Sequence, residues 1–187
     1  MTTPRGLTDA GISLVELLIY MMLSLLVLSI VGGIWLNGLS SERVVRQVTE
    51  AANVGQLAAE SIEHGVRNSS GFDVSTPTGQ DQLLRVRTAG GDDVISWSCA
   101  AWYYSDANHS IRYRTSETAI EAPNSTELES WTLLADGVGP GNSDRVFSSF
   151  STRLEINFQV AAGDHEPVII QSSALSRTEV METAPCV

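Results

Sequence analysis

The sequence predicts an α+β protein, in which a long N-terminal helix lies across one face of an antiparallel β-sheet. Three observations carry this reading. Residues from Leu17 to Leu36 are uncharged and almost wholly apolar; apolar residues then recur in steps of three and four from Val44 to Val66; beyond Phe72, short β-branched and aromatic segments alternate with turn residues. The first two patterns read as one helix from about Ile12 to about Arg67, with an apolar part over residues 12–36 and an amphipathic continuation over residues 37–67. Residues 68–187 then form a β-sheet ectodomain.

The apolar part is long enough to cross a bilayer, since about 20 apolar residues span the hydrocarbon. A secretory signal peptide should instead show an apolar region of about 7 to 15 residues followed by small residues at a cleavage site. Here the uncharged run continues to Ser41. A plain single-span anchor fits the length but leaves Glu16, at the head of the run, without a reason. In the continuation, Val44, Val48, Ala51, Gly55, Ala58, Ile62 and Val66 form an apolar stripe, while Glu42, Arg43, Arg46, Gln47, Glu50, Asn53, Glu60 and Glu63 fill the other positions. Helical propensity is weakest at Gly32-Gly33, where each glycine costs about 1 kcal/mol relative to alanine, and Asn37-Gly38 adds a second soft point. Close packing of neighbouring helices and local melting are the two readings of these glycines.

Asn68-Ser69-Ser70-Gly71 breaks the helical pattern, and strand signals follow. Leu83 to Thr88, Val94 to Ser98, Ala101 to Tyr104 and Ile111 to Thr115 predict an antiparallel meander, punctuated by Gly90-Gly91-Asp92-Asp93 and Asp106-Ala107-Asn108-His109. A polar, proline-containing stretch from Ser116 to Ser130 interrupts it. Trp131 to Leu134 reads as a further strand, and Leu154 to Val160 pairs with Val168 to Leu175 in a hairpin around residues 161–167.

A carboxylate at the head of a membrane helix needs a partner, because an unpaired ionised group at the edge of the hydrocarbon costs a few kcal/mol. The nearest source of one is an amine. Cutting the chain between Gly11 and Ile12 would create an α-amino group, cationic at neutral pH, one helical turn from Glu16. Parallel helices staggered by a turn would then let the amine of one subunit neutralise the acid of the next. Gly11, Ile12, Ser13, Leu14 and Glu16, followed at once by the apolar run, resemble the processing site of type IV prepilins and type II secretion pseudopilins. The resemblance implies a leader, residues 1–11, removed by a prepilin peptidase that usually also methylates the new amine. It further implies other pilin subunits and the pilus assembly machinery as partners. The family most often has Phe where this chain has Ile12.

Trp102-Tyr103-Tyr104, Ile111-Arg112-Tyr113-Arg114 and Leu134-Ala135-Asp136-Gly137-Val138 resemble ectodomain signatures of the PilW-type minor pilins and J-type pseudopilins, low-abundance subunits thought to prime the filament and sit near its tip. The competing class is a membrane-anchored binding module or adhesin that does not polymerise.

All 11 basic residues are arginine, whereas sortase-linked pilins join through a lysine amine. The net charge is −11, and loss of residues 1–11 removes Arg5 and Asp9 together, leaving it unchanged. Such a surface repels phosphate, so nucleic acid is not an expected partner. Cys99 and Cys186 follow a membrane-targeting segment, where the compartment is oxidising, and a bridge between them is the simplest outcome, with two free thiols as the alternative. No Gly-x-Ser-x-Gly elbow, phosphate loop, His-Glu-x-x-His or CxxC occurs, which points away from an enzyme and from any cofactor. His64, His109 and His165 fall on a helix face and two turns. Asp136, Asn142 and Asp144 offer hard oxygen ligands on a glycine-bent loop, but they miss the EF-hand spacing, and a simple turn is the reading kept.

Overall fold

The computed structural model describes residues 13–89, 96–178, 183 and 186. The chain divides into two compact units, Met1–Val45 and Arg46–Val187, and one helix, α1 (Leu14–Arg67), belongs to both. The helix begins with the Leu17 amide donating to the Ser13 carbonyl at 3.1 Å. Glu16 sits in its first turn and Arg67 in its last, the signs that the helix dipole favours.

Within the first unit, every residue from Leu14 to Leu36 is exposed. The helix remains regular through Gly32, Gly33 and Gly38, and a methyl group at any of the three would meet nothing within 4 Å. Among the described residues, nothing requires glycine there.

The predicted stripe is buried from Ala51 onward, within the second unit: Ala51, Gly55, Ala58, Ile62 and Val66 are buried, joined in the core by Ala59, and Val48 is half-buried, whereas Val44, in the first unit, is exposed. Two glycines of this part are sterically required. A Cβ on Gly55 would lie 2.7 Å from Cγ1 of Ile170, and one on Gly65 would overlap the ring of Trp102. Trp102 also donates its Nε1 hydrogen to Oγ of Ser61 at 3.1 Å, so one indole fixes the last two turns of the helix against the sheet.

The first sheet is a five-stranded antiparallel meander in the order β1-β2-β3-β4-β5. Its strands are β1 (Ser69–Ser75), β2 (Gln82–Ala89), β3 (Trp97–Ser105), β4 (Ser110–Ser116) and β5 (Thr132–Asp136). Two sequence expectations are corrected here. The helical pattern breaks at Asn68 as expected, but strand structure begins before Phe72: β1 starts at Ser69, directly after Asn68, with a register shift between Ser69 and Gly71. The Ser69 hydroxyl closes the junction by donating to the Val66 carbonyl at 2.7 Å, and Ser176 and Thr178 donate to the carbonyls of Ser69 and Ser70. Tertiary partners thus hold Ser69 and Ser70 in a strand that their own propensities do not signal. The segments expected at Val94 to Ser98 and Ala101 to Tyr104 are one strand, β3, in unbroken register from Ala89↔Trp97 to Gln82↔Tyr104, while residues 90–95 lie outside the described residues.

The second sheet is built on β8 (Arg153–Ala162). One edge of β8 carries two short strands end to end, β6 (Val138–Pro140) against Phe158 to Val160 and β7 (Phe147–Phe150) against Arg153 to Ile156. The other edge carries β9 (His165–Leu175). The expected hairpin is present, but its loop is shorter than residues 161–167: Ala162 pairs with His165 across Gly163-Asp164, and Gly163 adopts φ +63°, the left-handed region a tight turn demands. Leu154, Ile156, Phe158, Val160 and Ala162 alternate inward along β8. They meet the helix stripe and Val86, Trp102 and Tyr104 of the first sheet in one core.

The first sheet is covered on its other face as well. Leu83, Cys99, Ala101 and Tyr103 pack there against Ile120, Leu128, Trp131 and Cys186. The polar stretch from Ser116 to Ser130 is therefore not merely an interruption. It holds a short helix, α2 (Ser125–Glu129), begun by a capping box in which Asn124 Oδ1 accepts from the Glu127 amide at 2.9 Å and the Glu127 carboxylate accepts from the Asn124 amide at 3.0 Å. Cys99 and Cys186 form a disulfide with a Cα–Cα distance of 5.4 Å.

Candidate functional site

The unusual surface of the first unit is the apolar face of α1. From Leu17 to Leu36 a helix rises about 30 Å, the thickness of a bilayer's hydrocarbon core. Among the described residues, α1 is the one helix long and apolar enough to cross a membrane. Its few polar side chains are satisfied locally. Ser24 donates to the Met21 carbonyl and Ser29 to the Leu25 carbonyl, each at 2.9 Å, so neither hydroxyl needs water.

Glu16 is different. It is the sole charged residue between Ser13 and Ser41, it is exposed in the first turn, and its Oε1 accepts a hydrogen bond of 2.9 Å from the hydroxyl of Tyr20. That bond leaves the charge of the carboxylate uncancelled. Gly11 and Ile12, the expected cleavage and methylation positions, lie outside the described residues, as does the expected leader. Tyr20 is the residue that sequence reasoning missed. Its signal was the i, i+4 spacing from an acid to a hydroxyl on one helix face.

Trp102-Tyr103-Tyr104, Ile111-Arg112-Tyr113-Arg114 and Leu134-Ala135-Asp136 come together in the first sheet, whereas Val138 opens β6 of the second. Tyr104 pairs with Ile111, Trp102 with Tyr113 and Ile111 with Ala135 across β3, β4 and β5. Most of these side chains are buried, so their first role is packing. The Trp102 and Tyr113 rings, with centroids 5.1 Å apart, line an open groove of about 1270 Å³ beside the last turns of α1, with Leu57, Ser61, Trp97 and Leu134 on its walls. Burial first, and then hydrogen bonds to Asp81 and Asp106 respectively, raise the pKa values of the Tyr103 and Tyr104 phenols, and burial raises that of Tyr113. All three stay protonated donors at neutral pH.

The acidic segment holds strand β6 between bends at Gly137 and at residues 142–144. Asp136 ends β5 and its Oδ1 accepts from the Gly137 amide at 2.9 Å, while Gly137 itself takes φ +65°. Strand β6 separates Asp136 from Asn142 and Asp144, and the Asn142 amide donates to Oδ1 of Asn157 at 3.2 Å. Among the described residues, no three His, Cys, Asp or Glu side chains are grouped as a metal site would need. His109 occupies a turn with φ 48°, but His165 opens strand β9 rather than lying in a turn. His64 remains on the exposed face of α1 and contacts Asn68, at 3.1 Å from its Nε2.

Searches against protein-family models, curated proteins and solved structures find no match to this chain.

Proposed function

We propose that this chain is a minor type IV pilin or type II secretion pseudopilin, a structural subunit rather than an enzyme. Its apolar helix anchors it in the cytoplasmic membrane with the sheet domain outside the cytoplasm. After removal of the leader by prepilin peptidase, the assembly machinery transfers it into a filament, at the priming complex or near the tip. Within the filament the helix packs against those of other pilin subunits.

The observation that supports this reading best is the isolated carboxylate of Glu16 at the head of a bilayer-length helix, one turn beyond the Gly11-Ile12 junction. A neighbour's N-terminal ammonium is the counter-charge that such a position requires. Mass analysis of the N-terminus of the protein recovered from membranes of its own host tests the proposal. The expected end is Ile12 with a methylated amine, and a bulky replacement of Gly11 should leave the longer precursor. An end at Met1 would replace the proposal with a single-span anchor carrying a binding module.

A further inference from the structure

Resting on the assembly reading above, we propose that Tyr20 is a positioning residue for Glu16, its hydroxyl holding one carboxylate oxygen so that the other faces the ammonium of an incoming subunit. The geometry is direct. Tyr20 follows Glu16 by one turn, on the same side of the helix, and its Oη donates to Oε1 at 2.9 Å. Among the described residues nothing bonds Oε2.

A free glutamate at a helix end samples many rotamers, and docking an ammonium on it requires that freedom to be given up. A bond already made to Tyr20 removes part of that cost before the subunit docks. The chemistry of the donor also matters. Near the hydrocarbon edge an ionised carboxylate loses water and needs hydrogen-bond donors. An arginine at position 20 would supply donors but also cancel the charge that attracts the neighbour. A phenol donates without cancelling it, and tyrosine rings favour the membrane interface, where this turn would lie. Ser24 and Ser29 provide the contrast, since both hydroxyls turn back to the helix backbone and reach no side chain.

The test compares four full-length subunits expressed in the host: wild type, Tyr20→Phe, Glu16→Ala and the double variant. Leader removal is first verified by mass, and the fraction in sheared filaments is then measured with antibody. Tyr20→Phe should be cleaved normally yet enter filaments up to about tenfold less, the scale of the side-chain freedom that Glu16 must then give up on docking. The double variant should enter no less than Glu16→Ala alone. Wild-type incorporation of Tyr20→Phe overturns the proposal, and so does a further tenfold loss in the double variant, because the phenol would then act independently of the carboxylate. If Glu16→Ala enters filaments at the wild-type level, the assembly reading falls and takes the proposal with it, whereas an effect of Glu16→Ala without one of Tyr20→Phe removes the proposal alone. A second readout needs no filament. In vesicles, the infrared carboxylate band of Glu16, isolated by subtracting the matching Glu16→Ala spectrum, should shift when Tyr20 becomes Phe; an unchanged band means that the bond does not hold the group.

Discussion

Tyr103 and Tyr104 are neighbours on β3 that face opposite sides of the first sheet, and each phenol is tied to a carboxylate: Tyr103 to Asp81 at 2.7 Å and Tyr104 to Asp106 at 3.1 Å. The Asp106 amide in turn donates to Asp81 at 2.8 Å, which joins the two pairs at the end of the strand. Because folding raises the pKa values of Tyr103, Tyr104 and Tyr113 above the ordinary 10.0, the folded state binds more protons than the unfolded chain once pH exceeds that value. Stability should therefore be level up to about pH 9 and fall above about pH 10, by up to roughly 1.4 kcal/mol per pH unit for each phenol. The absence of lysine leaves few other groups titrating in this window. Urea unfolding in detergent between neutral pH and about pH 11 measures the slope; stability that stays level or rises there would contradict the burial of these hydroxyls. In the sequence the three tyrosines are visible only as strand residues. Of the two carboxylate partners, Asp106 lies two residues from Tyr104 along the chain, whereas Asp81 is brought to Tyr103 by the fold.

At the scale of elements, α1 was the most legible part of the chain, because a stripe in steps of three and four needs only the helix itself to be recognised. Its end at Arg67 falls where the pattern breaks. Strand β3 was harder to read. A strand with one buried face alternates polar and apolar residues, but Cys99-Ala100-Ala101-Trp102-Tyr103-Tyr104 is buried at every position, since α1 and the second sheet cover one face and the Ser116 to Trp131 segment covers the other. The cover itself was hidden by its polarity, although Asn124-Ser125-Thr126-Glu127 carries a capping-box pattern that marks α2. The glycines of α1 separate into two kinds. Gly55 and Gly65 are fixed by Ile170 and Trp102, whereas Gly32 and Gly33 have open space around them. Changing Gly32 and Gly33 together to Ala should leave the unfolding midpoint of the sheet domain and the helical content of the folded chain unchanged, while each alanine favours the helix by about 1 kcal/mol. Incorporation into sheared filaments should nevertheless fall, and wild-type incorporation would deprive these glycines of a role in assembly.

On the scale of the whole molecule, the disulfide joins residues 87 apart in sequence and brings Cys186 onto the back face of β3. On the chain-entropy model a loop of that size contributes about 4 to 5 kcal/mol, so Cys186→Ser should lose several kcal/mol and become sensitive to protease. Unfolding by urea together with limited proteolysis checks this, and resistance equal to wild type would show that the second core holds without the bridge. What the sequence determined alone was whatever depends on near neighbours along the chain: the apolar run, the helix stripe, the hairpin of β8 and β9, and the lone acid at the head of α1. Only the tertiary structure decided which sheet each strand joined, how β6 and β7 share one edge of β8, what covers the back of the first sheet, and which glycines are sterically necessary. The physical reason is one of distance. Helical periodicity and turn chemistry are set within a few residues, whereas sheet order and the closure of a second core depend on contacts between segments tens of residues apart, whose free energy no local pattern records.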